Sequence, residues 1–453
     1  MSLDLANQNL DRFISELSEW LRIPSVSADP AFNEQTQQAA QWLVNHLTVL
    51  GATEAVAHKT AGHPIVTARL GNDPQKPTVL VYGHYDVQPA DPLELWHSPA
   101  YEPEIRDGKL YARGACDDKG QVFLHLKAAE LLRQKGELPC NMVFLIEGEE
   151  ECGSGNLVPF VEAHKDLLKC DAVLISDTSI IATDVPSLTV GLRGLAYIEL
   201  TLTGPDRDLH SGVYGGAVAN PIHALAKMIS QLHDDQGRIT IPGFYDDVIE
   251  YSAAQREAIN KAPYDEAAYK KDLGVEALQG ENGFTTTERT GIRPCLDVNG
   301  IWGGYTGEGA KTVLPSKAHA KISTRLVPNQ QHEKAAKQLI DHLHSLTPPT
   351  MKLVATEHHG GPAAVTSTES IPYQAAHEAF KSVWGKDPIP TYEGGSIPIV
   401  SALNQILGAE VVLMGFGLNS DAIHSPNEHF VVSHIPKGIA TIMAFHEAFA
   451  KLK

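Results

Sequence analysis

Acidic and histidine side chains follow several separate apolar runs in this chain of 453 residues, and this recurrence limits the folds that suit it. The segments are residues 79–86, 113–120, 143–151 and 173–177, with His424 after a fifth apolar run at 411–416. In open α/β sheets, ligands collect at the carboxyl ends of strands. Carboxylates and imidazoles gathered there are the groups that hold a hydrolytic pair of metal ions. The pattern therefore predicts a two-metal hydrolase.

The length of the chain and the order of its predicted elements indicate two domains. A single core stops growing beyond roughly 250–300 residues. Strands alternate with helices in residues 1–187 and again in 363–453, which predicts an α/β domain with a central, mostly parallel sheet. Residues 188–362 read instead as an α+β domain. We therefore predict a discontinuous hydrolase domain interrupted by an inserted domain.

Hydrophobic periodicity and end signals give the individual elements. Helices are predicted near residues 10–21, 36–50 (capped by Gly51), 120–132, 222–232, 331–346, 373–384, 399–407 and 436–452. Strands are predicted near residues 64–70, 78–82, 142–146, 172–176, 188–190, 197–203, 317–326 and 411–414.

Composition excludes several classes of function. The formal net charge of −19 argues against binding to nucleic acid or to an anionic membrane surface. No apolar run approaches the ~20 residues that span a bilayer. The chain begins without a basic start or an apolar signal core, and its five cysteines show no CxxC spacing. These features predict reduced thiols and a cytoplasmic location.

Each candidate ligand also has an ordinary explanation when it is taken alone. His84 and Asp86 share one face of a strand end, so His84 can bind a metal while Asp86 orients its ring; a satisfied core histidine is the alternative. One carboxylate of the Asp117-Asp118 pair can bridge two cations, although acidic residues are also favoured at a helix start. Together with Asp177, which by itself is a turn aspartate, these residues favour a metal site.

The run Glu149-Glu150-Glu151 follows a predicted buried strand directly. Three adjacent carboxylates repel one another and raise one another's pKa unless a cation is near. A solvated turn is the alternative for this triplet, and a loop histidine is the alternative for His424. Cys116 and Cys152 flank the candidates, and small packed neutral residues are the more common role. The coincidence of several ligand-bearing strand ends carries more weight than any one of them.

The chain resembles the di-metal family that includes carnosinase, cytosolic nonspecific dipeptidase, acetylornithine deacetylase and succinyl-diaminopimelate desuccinylase. The resemblance extends over nearly the whole chain and is strongest to the dipeptidase branch. It is carried by residues 83–89, 208–216, 309–315 and 393–398.

The resemblance implies the metal ligands and the catalytic base. One metal would be held by His84 and Asp177, the other by Glu151 and His424, with Asp117 bridging both. Two divalent ions per subunit, zinc or manganese, are expected, and cobalt suits the same ligands. Glu150 matches the base, and Asp86 matches the partner of His84. The bond between Asp117 and Asp118 would be cis. The glutamate triplet leaves a one-residue slip of these roles open.

The resemblance also implies substrate-binding residues and a homodimer. His210 would stabilise the oxyanion and act in the active site of the partner subunit, which makes the inserted domain a lid and dimerisation domain. Arg325 would bind the terminal carboxylate of the substrate with two parallel hydrogen bonds. Gly395 and Ser396 would lie against the substrate backbone. The alternatives are a structural loop histidine, a strand-surface arginine and a plain turn.

The predicted function is that of a cytoplasmic metallopeptidase acting mainly on dipeptides. A bridging hydroxide, activated by Glu150, would attack the scissile carbonyl in this scheme. An N-acyl amino acid deacylase of the deacetylase or desuccinylase type is the alternative enzyme. A metal-free scaffold on the same fold is the non-enzymatic alternative, and the presence of the base and of every implied ligand disfavours it.

Overall fold

The chain forms two compact units, each built from more than one stretch of sequence. The computed structural model describes residues 2–136, 138–394 and 398–453. The first unit contains Met1–Val190, Thr366–Thr391 and Ile399–Lys453, and the second contains Gly191–Val365 and Tyr392–Pro398.

The chain up to the start of the second unit alternates helices with short strands. Its elements are α1 (Ser2–Gln8), α2 (Leu10–Leu21), α3 (Asn33–Leu50), β1 (Thr53–His58), β2 (Ile65–Leu70), β3 (Thr78–His84), β4 (Glu104–Arg106), β5 (Lys109–Tyr111), α4 (Lys119–Gln134), β6 (Asn141–Glu147), α5 (Leu157–Ala163), β7 (Ala172–Ile175), β8 (Ser179–Ile180) and β9 (Ser187–Leu192). Short 3-10 turns occur at Pro30–Phe32, Leu93–Leu95 and Glu150–Cys152.

The middle of the chain contains longer antiparallel strands. Its elements are β10 (Gly194–Thr203), β11 (Leu209–His210), α6 (Ser211–Tyr214), α7 (Pro221–Ser230), α8 (Ala253–Ile259), α9 (Glu266–Leu273), α10 (Thr286–Gly291), β12 (Cys295–Gly303), β13 (Val313–Leu314), β14 (Lys317–Leu326), α11 (His332–Leu346), β15 (Lys352–Gly361) and β16 (Ala364–Val365). The last part of the chain adds α12 (Ile371–Trp384), β17 (Ile389–Glu393), α13 (Pro398–Leu407), β18 (Glu410–Leu413), β19 (Gly417–Leu418), β20 (His429–Val431) and α14 (His434–Leu452).

The central sheet of the first unit has the strand order β1-β2-β6-β3-β7-β18-β9. The four middle strands β6, β3, β7 and β18 run parallel, whereas β1, β2 and β9 pair antiparallel at the sides. Strands β6 and β7 are buried at every position, as expected for parallel strands covered on both faces. The prediction of an α/β fold with a mostly parallel central sheet is confirmed.

Strand register brings several polar strand ends to one edge of this sheet. His84 at the end of β3 pairs with Glu147 at the end of β6, and Tyr82 pairs with Ile175 at the end of β7. Parallel strands present their carboxyl ends on the same side. The loops after β3, β6 and β7 therefore start next to one another.

Helices α4 and α14 are buried along most of their length and pack against each other. A Cβ built at Gly438 would lie 2.6 Å from Leu124 Cδ1, so glycine allows the two helices to approach this closely. Helices α1 and α12 also pack on α14.

The second unit is built on a four-stranded antiparallel sheet of order β12-β14-β10-β15. Strand β10 alternates buried and half-buried residues along its whole length, which is typical of a sheet with one covered face. Helices α7 and α11 contribute to the apolar core on the covered face, which includes Leu200, Met228 and Leu339. Together these elements form the α+β arrangement expected for the inserted part of the chain.

Local sequence signals give the positions of most elements. The helix predicted near residues 36–50 is α3, and Gly51 ends it with a left-handed φ of 87°. The strand predicted at 317–326 is β14. Hydrophobic periodicity predicts no helix in the charged stretch between residues 246 and 271, but the structure places α8 and most of α9 there. Among the described residues, no helix combines the length and apolar character needed to cross a bilayer.

Candidate two-metal active site

Loops at the carboxyl edge of the parallel strands carry the predicted metal ligands. His84 is the last residue of β3, and Glu151 lies in the 3-10 turn after β6. Asp177 follows β7, and Asp117 precedes α4. His424 lies between β19 and β20, far away in sequence. All five residues belong to the first unit.

The five side chains form two groups that share Asp117. In the first group, His84 Nε2 lies 3.1 Å from Asp117 Oδ1 and 4.0 Å from Asp177 Oδ2. In the second group, His424 Nε2 lies 2.9 Å from Asp117 Oδ2 and 3.1 Å from Glu151 Oε2. Within each group, the potential ligand atoms all lie within 4.8 Å of one another. Asp117 thus offers one oxygen to each group.

The donor set of both groups fits divalent cations. Each group combines one imidazole nitrogen with carboxylate oxygens, a mixture that zinc and manganese accept. A carboxylate shared between the groups would hold two cations close together, as in two-metal hydrolases. Hydrogen bonds to Asp117 and Glu151 raise the pKa of His424 to about 10. The surroundings of His424 therefore favour positive charge.

Burial and mutual repulsion act on the carboxylates of the site. Burial raises the pKa of Asp177 well above its usual range, and Asp118 and Asp117 reinforce this rise. Burial also raises the pKa of Glu150 to about 7; His84 opposes this rise, and Glu151 adds to it. Carboxylates this close require a compensating cation to stay ionised.

Asp86 connects the ring of His84 to the glutamate turn. Its Oδ1 lies 3.3 Å from His84 Nδ1, and its Oδ2 accepts a hydrogen bond of 3.1 Å from the backbone N–H of Glu151. His84 Nδ1 also donates to the main-chain oxygen of Asp86 at 3.1 Å. A proton held on Nδ1 leaves Nε2 free to bind a metal, which is the geometry that the predicted orienting role requires.

The peptide bond between Asp117 and Asp118 is cis, as the family resemblance implied. The two carboxylates point to different partners. Asp117 takes part in both groups, whereas Asp118 Oδ2 accepts the backbone N–H of His84 at 3.2 Å. Asp118 therefore fixes the end of β3.

The three adjacent glutamates also differ in their partners. Glu149 accepts hydrogen bonds from the backbone N–H of His63 at 3.2 Å and from Asn156 Nδ2 at 2.7 Å. Glu151 lies with Asp117 and His424. Glu150 stands between them in sequence and is half-buried. The structure thus groups Glu151, and not Glu149, with the candidate ligands.

The two neighbouring cysteines have other surroundings. Cys116 is buried, with its Sγ 3.6 Å from Asp421 Oδ2, and Cys152 is exposed, with its Sγ 3.5 Å from the carbonyl oxygen of Glu149. Within the described part of the chain, neither thiol takes part in the two groups around Asp117.

The predicted substrate-binding residues lie elsewhere in the chain. His210 ends β11 in the second unit, is exposed, and accepts the backbone N–H of Gly212 on Nδ1 at 3.0 Å. Arg325 lies on β14 opposite Leu195; burial and the nearby charge of Arg193 lower its pKa. Gly395 and Ser396 fall outside the described residues.

Sequence reasoning did not single out three residues that support these loops. Glu428 and Arg113 form a buried ion pair of 2.7 Å between Arg113 Nη1 and Glu428 Oε2. Arg193 Nε donates to the carbonyl oxygen of Gly394 at 3.2 Å, next to the predicted substrate segment. The sequence offers one signal for Glu428, which is its position four residues after the candidate ligand His424.

A parallel sheet whose carboxyl edge carries two linked imidazole–carboxylate groups defines a metal-dependent hydrolase. The model of Peptidase family M20/M25/M40 matches residues 80–448, and the chain belongs to this family.

Curated and structural relatives agree with this assignment. The chain is 35% identical to the Cys-Gly metallodipeptidase dug1 of Schizosaccharomyces pombe, over 99% of this chain and 98% of that protein. It superposes on the crystal structure of human carnosine dipeptidase 1 with a TM-score of 0.87 and 31% identity, covering 99% of this chain and 98% of the other. The M20 metallo-carboxypeptidase Sso-CP2 from Sulfolobus solfataricus gives a TM-score of 0.87 and 35% identity, covering 97% and 99%. The predicted resemblance to the dipeptidase branch is confirmed.

Proposed function

We propose that this protein is a metallodipeptidase that hydrolyses the peptide bond of dipeptides. The observation that carries this proposal is the shared position of Asp117 between the His84–Asp177 group and the Glu151–His424 group. Relatives of this chain are named as metallodipeptidases, and this supports dipeptide hydrolysis over the alternative of an N-acyl amino acid deacylase. Proteolysis of short peptides is thus the reaction class.

Each candidate site residue of the first unit has its own role in this scheme. His84, Asp117 and Asp177 would hold one divalent cation, and Asp117, Glu151 and His424 would hold the other. When bound, the two cations polarise the scissile carbonyl and lower the pKa of water. Glu150 accepts a proton from the attacking water and returns it to the leaving amine. Asp86 keeps the His84 ring in the orientation that leaves Nε2 free.

Substrate recognition is assigned in this proposal to Arg325, Gly395, Ser396 and His210. Arg325 pairs its planar guanidinium with the terminal carboxylate of the substrate through two parallel hydrogen bonds. Gly395 and Ser396 bind the substrate backbone. His210 donates a hydrogen bond to the oxygen that becomes negative in the transition state. A fixed partner for the terminal carboxylate places the scissile bond next to the C-terminal residue of the substrate.

A homodimer completes the active site in this proposal, with His210 acting in the partner subunit. Strand β12 lies at an edge of the four-stranded sheet and exposes Val298, Ile301 and Trp302. Edge strands with exposed apolar residues are an aggregation hazard unless another chain covers them. The dimerisation role predicted for the inserted part of the chain therefore has a candidate surface.

The proposal also includes the identity of the metal, zinc or manganese, and a cytoplasmic location. Zinc or manganese suits the mixed nitrogen and oxygen ligands, and the identity of the bound ion depends on availability as well as affinity. The five cysteines, all within the described residues, are free thiols, which supports the cytoplasmic location.

A substrate panel tests the proposed reaction. The purified protein is freed of metal, reloaded with zinc or manganese, and assayed on Cys-Gly, Leu-Ala, carnosine, a tripeptide, an N-acetylated dipeptide and N-acetylornithine. We expect cleavage of free dipeptides. Cleavage of N-acetylornithine alone would contradict the proposal and favour a deacylase. Cleavage of the tripeptide and the N-acetylated dipeptide at rates equal to Leu-Ala would favour a carboxypeptidase.

A complementation assay tests the role of His210 across the dimer. The Glu150→Gln and His210→Ala variants are each nearly inactive alone, and mixing them with subunit exchange produces a heterodimer. If His210 acts in the partner subunit, one site of this heterodimer has both Glu150 and His210 intact, and activity returns. If His210 acts in its own subunit, every site lacks one residue and the mixture stays inactive.

A further inference from the structure

Glu428 is a fully buried carboxylate that accepts four hydrogen bonds next to the two metal groups. Its Oε2 accepts from Arg113 Nη1 at 2.7 Å and from the backbone N–H of Gly114 at 3.0 Å. Its Oε1 accepts from the backbone N–H groups of Cys116 and Asp117, both at 3.0 Å. Both oxygens are thus paired, and every donor comes from residues 113–117.

These hydrogen bonds join the two loops that carry ligands of the second metal group. Asp117 ends one loop, and its own backbone N–H binds Glu428. His424 lies four residues before Glu428 on the other loop, and the main-chain oxygen of Glu428 accepts the N–H of Ala112 at 3.1 Å. A shift of Glu428 would therefore change the separation of Asp117 and His424 directly.

The turn around Asp117 has the features of an anion-binding turn whose anion is a side chain of the protein. Several backbone N–H groups converge on one carboxylate, as they do in backbone nests that bind anions. Gly114 has a left-handed φ of 85°, and a Cβ there would lie 2.8 Å from Val87 Cγ1. The backbone of this turn is closely packed, so Glu428 meets a preformed set of donors.

The loop that carries His424 needs support from its surroundings. Ala422, His424 and Asn427 all adopt left-handed φ values, of 56°, 59° and 66°. Such conformations are unfavourable for residues other than glycine and persist where neighbouring contacts hold them. The Asn427 side chain bonds the carbonyl oxygen of Leu95 and the backbone N–H of His97, and the next residue is Glu428.

Arg113 balances the buried charge of Glu428. Its side chain is 1% exposed, and its Nη2 donates to the carbonyl oxygen of Pro89 at 3.1 Å. Loss of one partner from a buried ion pair leaves an uncompensated charge in the interior, which is strongly destabilising. Arg113 thus allows an ionised carboxylate at this depth and ties it to the segment after Asp86.

We propose that Glu428, paired with Arg113, is a positioning residue that sets the separation of Asp117 and His424 and hence the affinity of the second metal group. The inference rests on the proposed function, because it concerns the same metal site. Glu428 contacts neither metal ligand side chain in the described structure and is not itself a catalytic residue. Its effect passes through the backbone of residues 113–117 and through the His424 loop.

The Glu428→Gln variant tests this proposal. Glutamine keeps the shape of the side chain but turns an NH₂ group toward backbone N–H donors, so two hydrogen bonds are lost. Titration of the metal-free protein with zinc, in competition with a chelating dye, measures both affinities without an activity assay. We expect one of the two zinc affinities to fall about 10–100-fold, the range for residues that orient metal ligands. With Leu-Ala, kcat should fall while KM changes less than about two-fold, because the substrate-binding groups are untouched.

The Glu281→Gln variant is a matched control from the second unit. Glu281 forms a buried bidentate pair with Arg293, with contacts of 2.7 Å and 2.8 Å, and its side chain is 8% exposed. This variant should lose thermal stability as Glu428→Gln does, but both zinc affinities and kcat should match the wild type. Equal losses of zinc affinity in both variants would overturn the proposal, because general destabilisation would then explain them.

A charge-neutral pair separates positioning from stability. The Arg113→Met/Glu428→Gln double variant removes both charges and should recover thermal stability relative to the single variant. We expect the zinc affinity that is lost in Glu428→Gln to stay low in the double variant, since the backbone donors are still mismatched. Recovery of zinc affinity together with stability would overturn the proposal. If Glu428→Gln does not fold, Glu428→Asp takes its place, because it keeps the charge opposite Arg113 but shortens the side chain and so stretches its hydrogen bonds to residues 114–117. The same loss of zinc affinity is expected, and wild-type affinity would overturn the proposal.

The wild-type measurements separate the two levels of inference. Fewer than two zinc ions per subunit, or no hydrolysis of any free dipeptide, would contradict the proposed function and the positioning role with it. Two zinc ions with dipeptide hydrolysis in the wild type, and unchanged zinc affinities in Glu428→Gln, would overturn the positioning role alone.

Discussion

The interiors of the two units differ in how many charged and titratable side chains they bury. In the first unit, charged and titratable side chains are buried beside the sheet and its helices, among them His84, Asp118, Lys119, His125, Lys127, Glu147, Glu428 and His446. The core cluster of the second unit is apolar and combines strand residues such as Ile198 and Leu200 with helix residues such as Leu225 and Leu339. The second unit also buries the Arg293–Glu281 pair and Glu288, which pairs with Arg256, but these charges lie outside this cluster.

The difference shows where each unit obtains its stability. A buried charge is costly unless a partner or a metal compensates it, so each such group in the first unit reduces the net gain from burial. Buried apolar surface stabilises a fold by roughly 25 cal/mol per Å² without needing specific partners. The first unit thus carries groups suited to chemistry at a cost in stability, and the second unit rests on ordinary apolar packing. Substitutions in the two metal groups of the first unit should act mainly on activity, and core substitutions in the second unit mainly on stability.

The Asp117→Asn variant should give the largest loss of activity. Asp117 offers an oxygen to both metal groups, so its neutral amide weakens both at once. We expect kcat/KM for Leu-Ala to fall more than about 10⁴-fold, beyond the loss of one acid–base group. Metal content should fall below two ions per subunit by elemental analysis. The exposed Asp166→Asn variant serves as the control and should match the wild type; two bound metals in Asp117→Asn would contradict the bridging role.

The Glu150→Gln variant should lose about 10²–10⁴-fold in kcat, the usual range for a general acid–base group, while both metals stay bound. The matched variant Glu149→Gln removes a carboxylate that faces His63 and Asn156, and its kcat should change less than a few-fold. Steady-state kinetics with metal analysis on both variants decides between them. The reverse order of effects would mean that the roles within the glutamate triplet are shifted by one residue.

The Leu339→Ala variant probes the apolar core of the second unit. Leu339 is fully buried on α11, and truncating a buried leucine costs about 2–5 kcal/mol. Hydrogen exchange should show faster opening of peptides from the second unit, while kcat at 20 °C stays within about two-fold of the wild type. Val354, which is 53% exposed on β15, gives a control variant Val354→Ala with little effect. A drop in kcat as large as that of Glu150→Gln would remove the distinction between the units.

Acid sensitivity should come in part from the first unit, through its buried histidines. Burial lowers the pKa of His446 to about 3, so this residue is neutral in the folded protein. The unfolded chain takes up a proton below pH 6.5 and the folded chain does not, so stability falls as the pH drops from 6.5 toward 3. At pH 5 this residue should cost about 2 kcal/mol relative to pH 7. The His446→Gln variant should therefore lose less stability between pH 7 and pH 5 in urea denaturation than the wild type; equal losses would show that His446 does not contribute.

The elements that sequence patterns predict are those with local signals. Apolar runs gave β3, β6 and β7, and helical spacing with a terminal glycine gave α3, because burial and capping depend on neighbours in sequence. Each candidate ligand followed one of these runs, so its position at the sheet edge followed from parallel strand order. Strand β12 was missed because its exposed residues follow no simple alternation.

The support around Asp117 could not be predicted in the same way. Glu428 receives three backbone N–H groups, which have no residue-specific signal, and an arginine that lies 315 residues earlier in the chain. The hydrogen bond between Asp86 and the backbone N–H of Glu151 is likewise non-local. Sequence reasoning identifies side chains with reactive chemistry more readily than the contacts that hold them.

The order of the ligands along the chain has a consequence for protein synthesis. The residues of the His84–Asp117–Asp177 group all precede the second unit, whereas the other group lacks His424 until the last part of the chain is made. A ribosome therefore releases the ligands of one metal group long before the ligands of the other are complete. A product that ends between residues 178 and 423 lacks both His424 and Glu428, so it carries the whole His84–Asp117–Asp177 group and an incomplete second group.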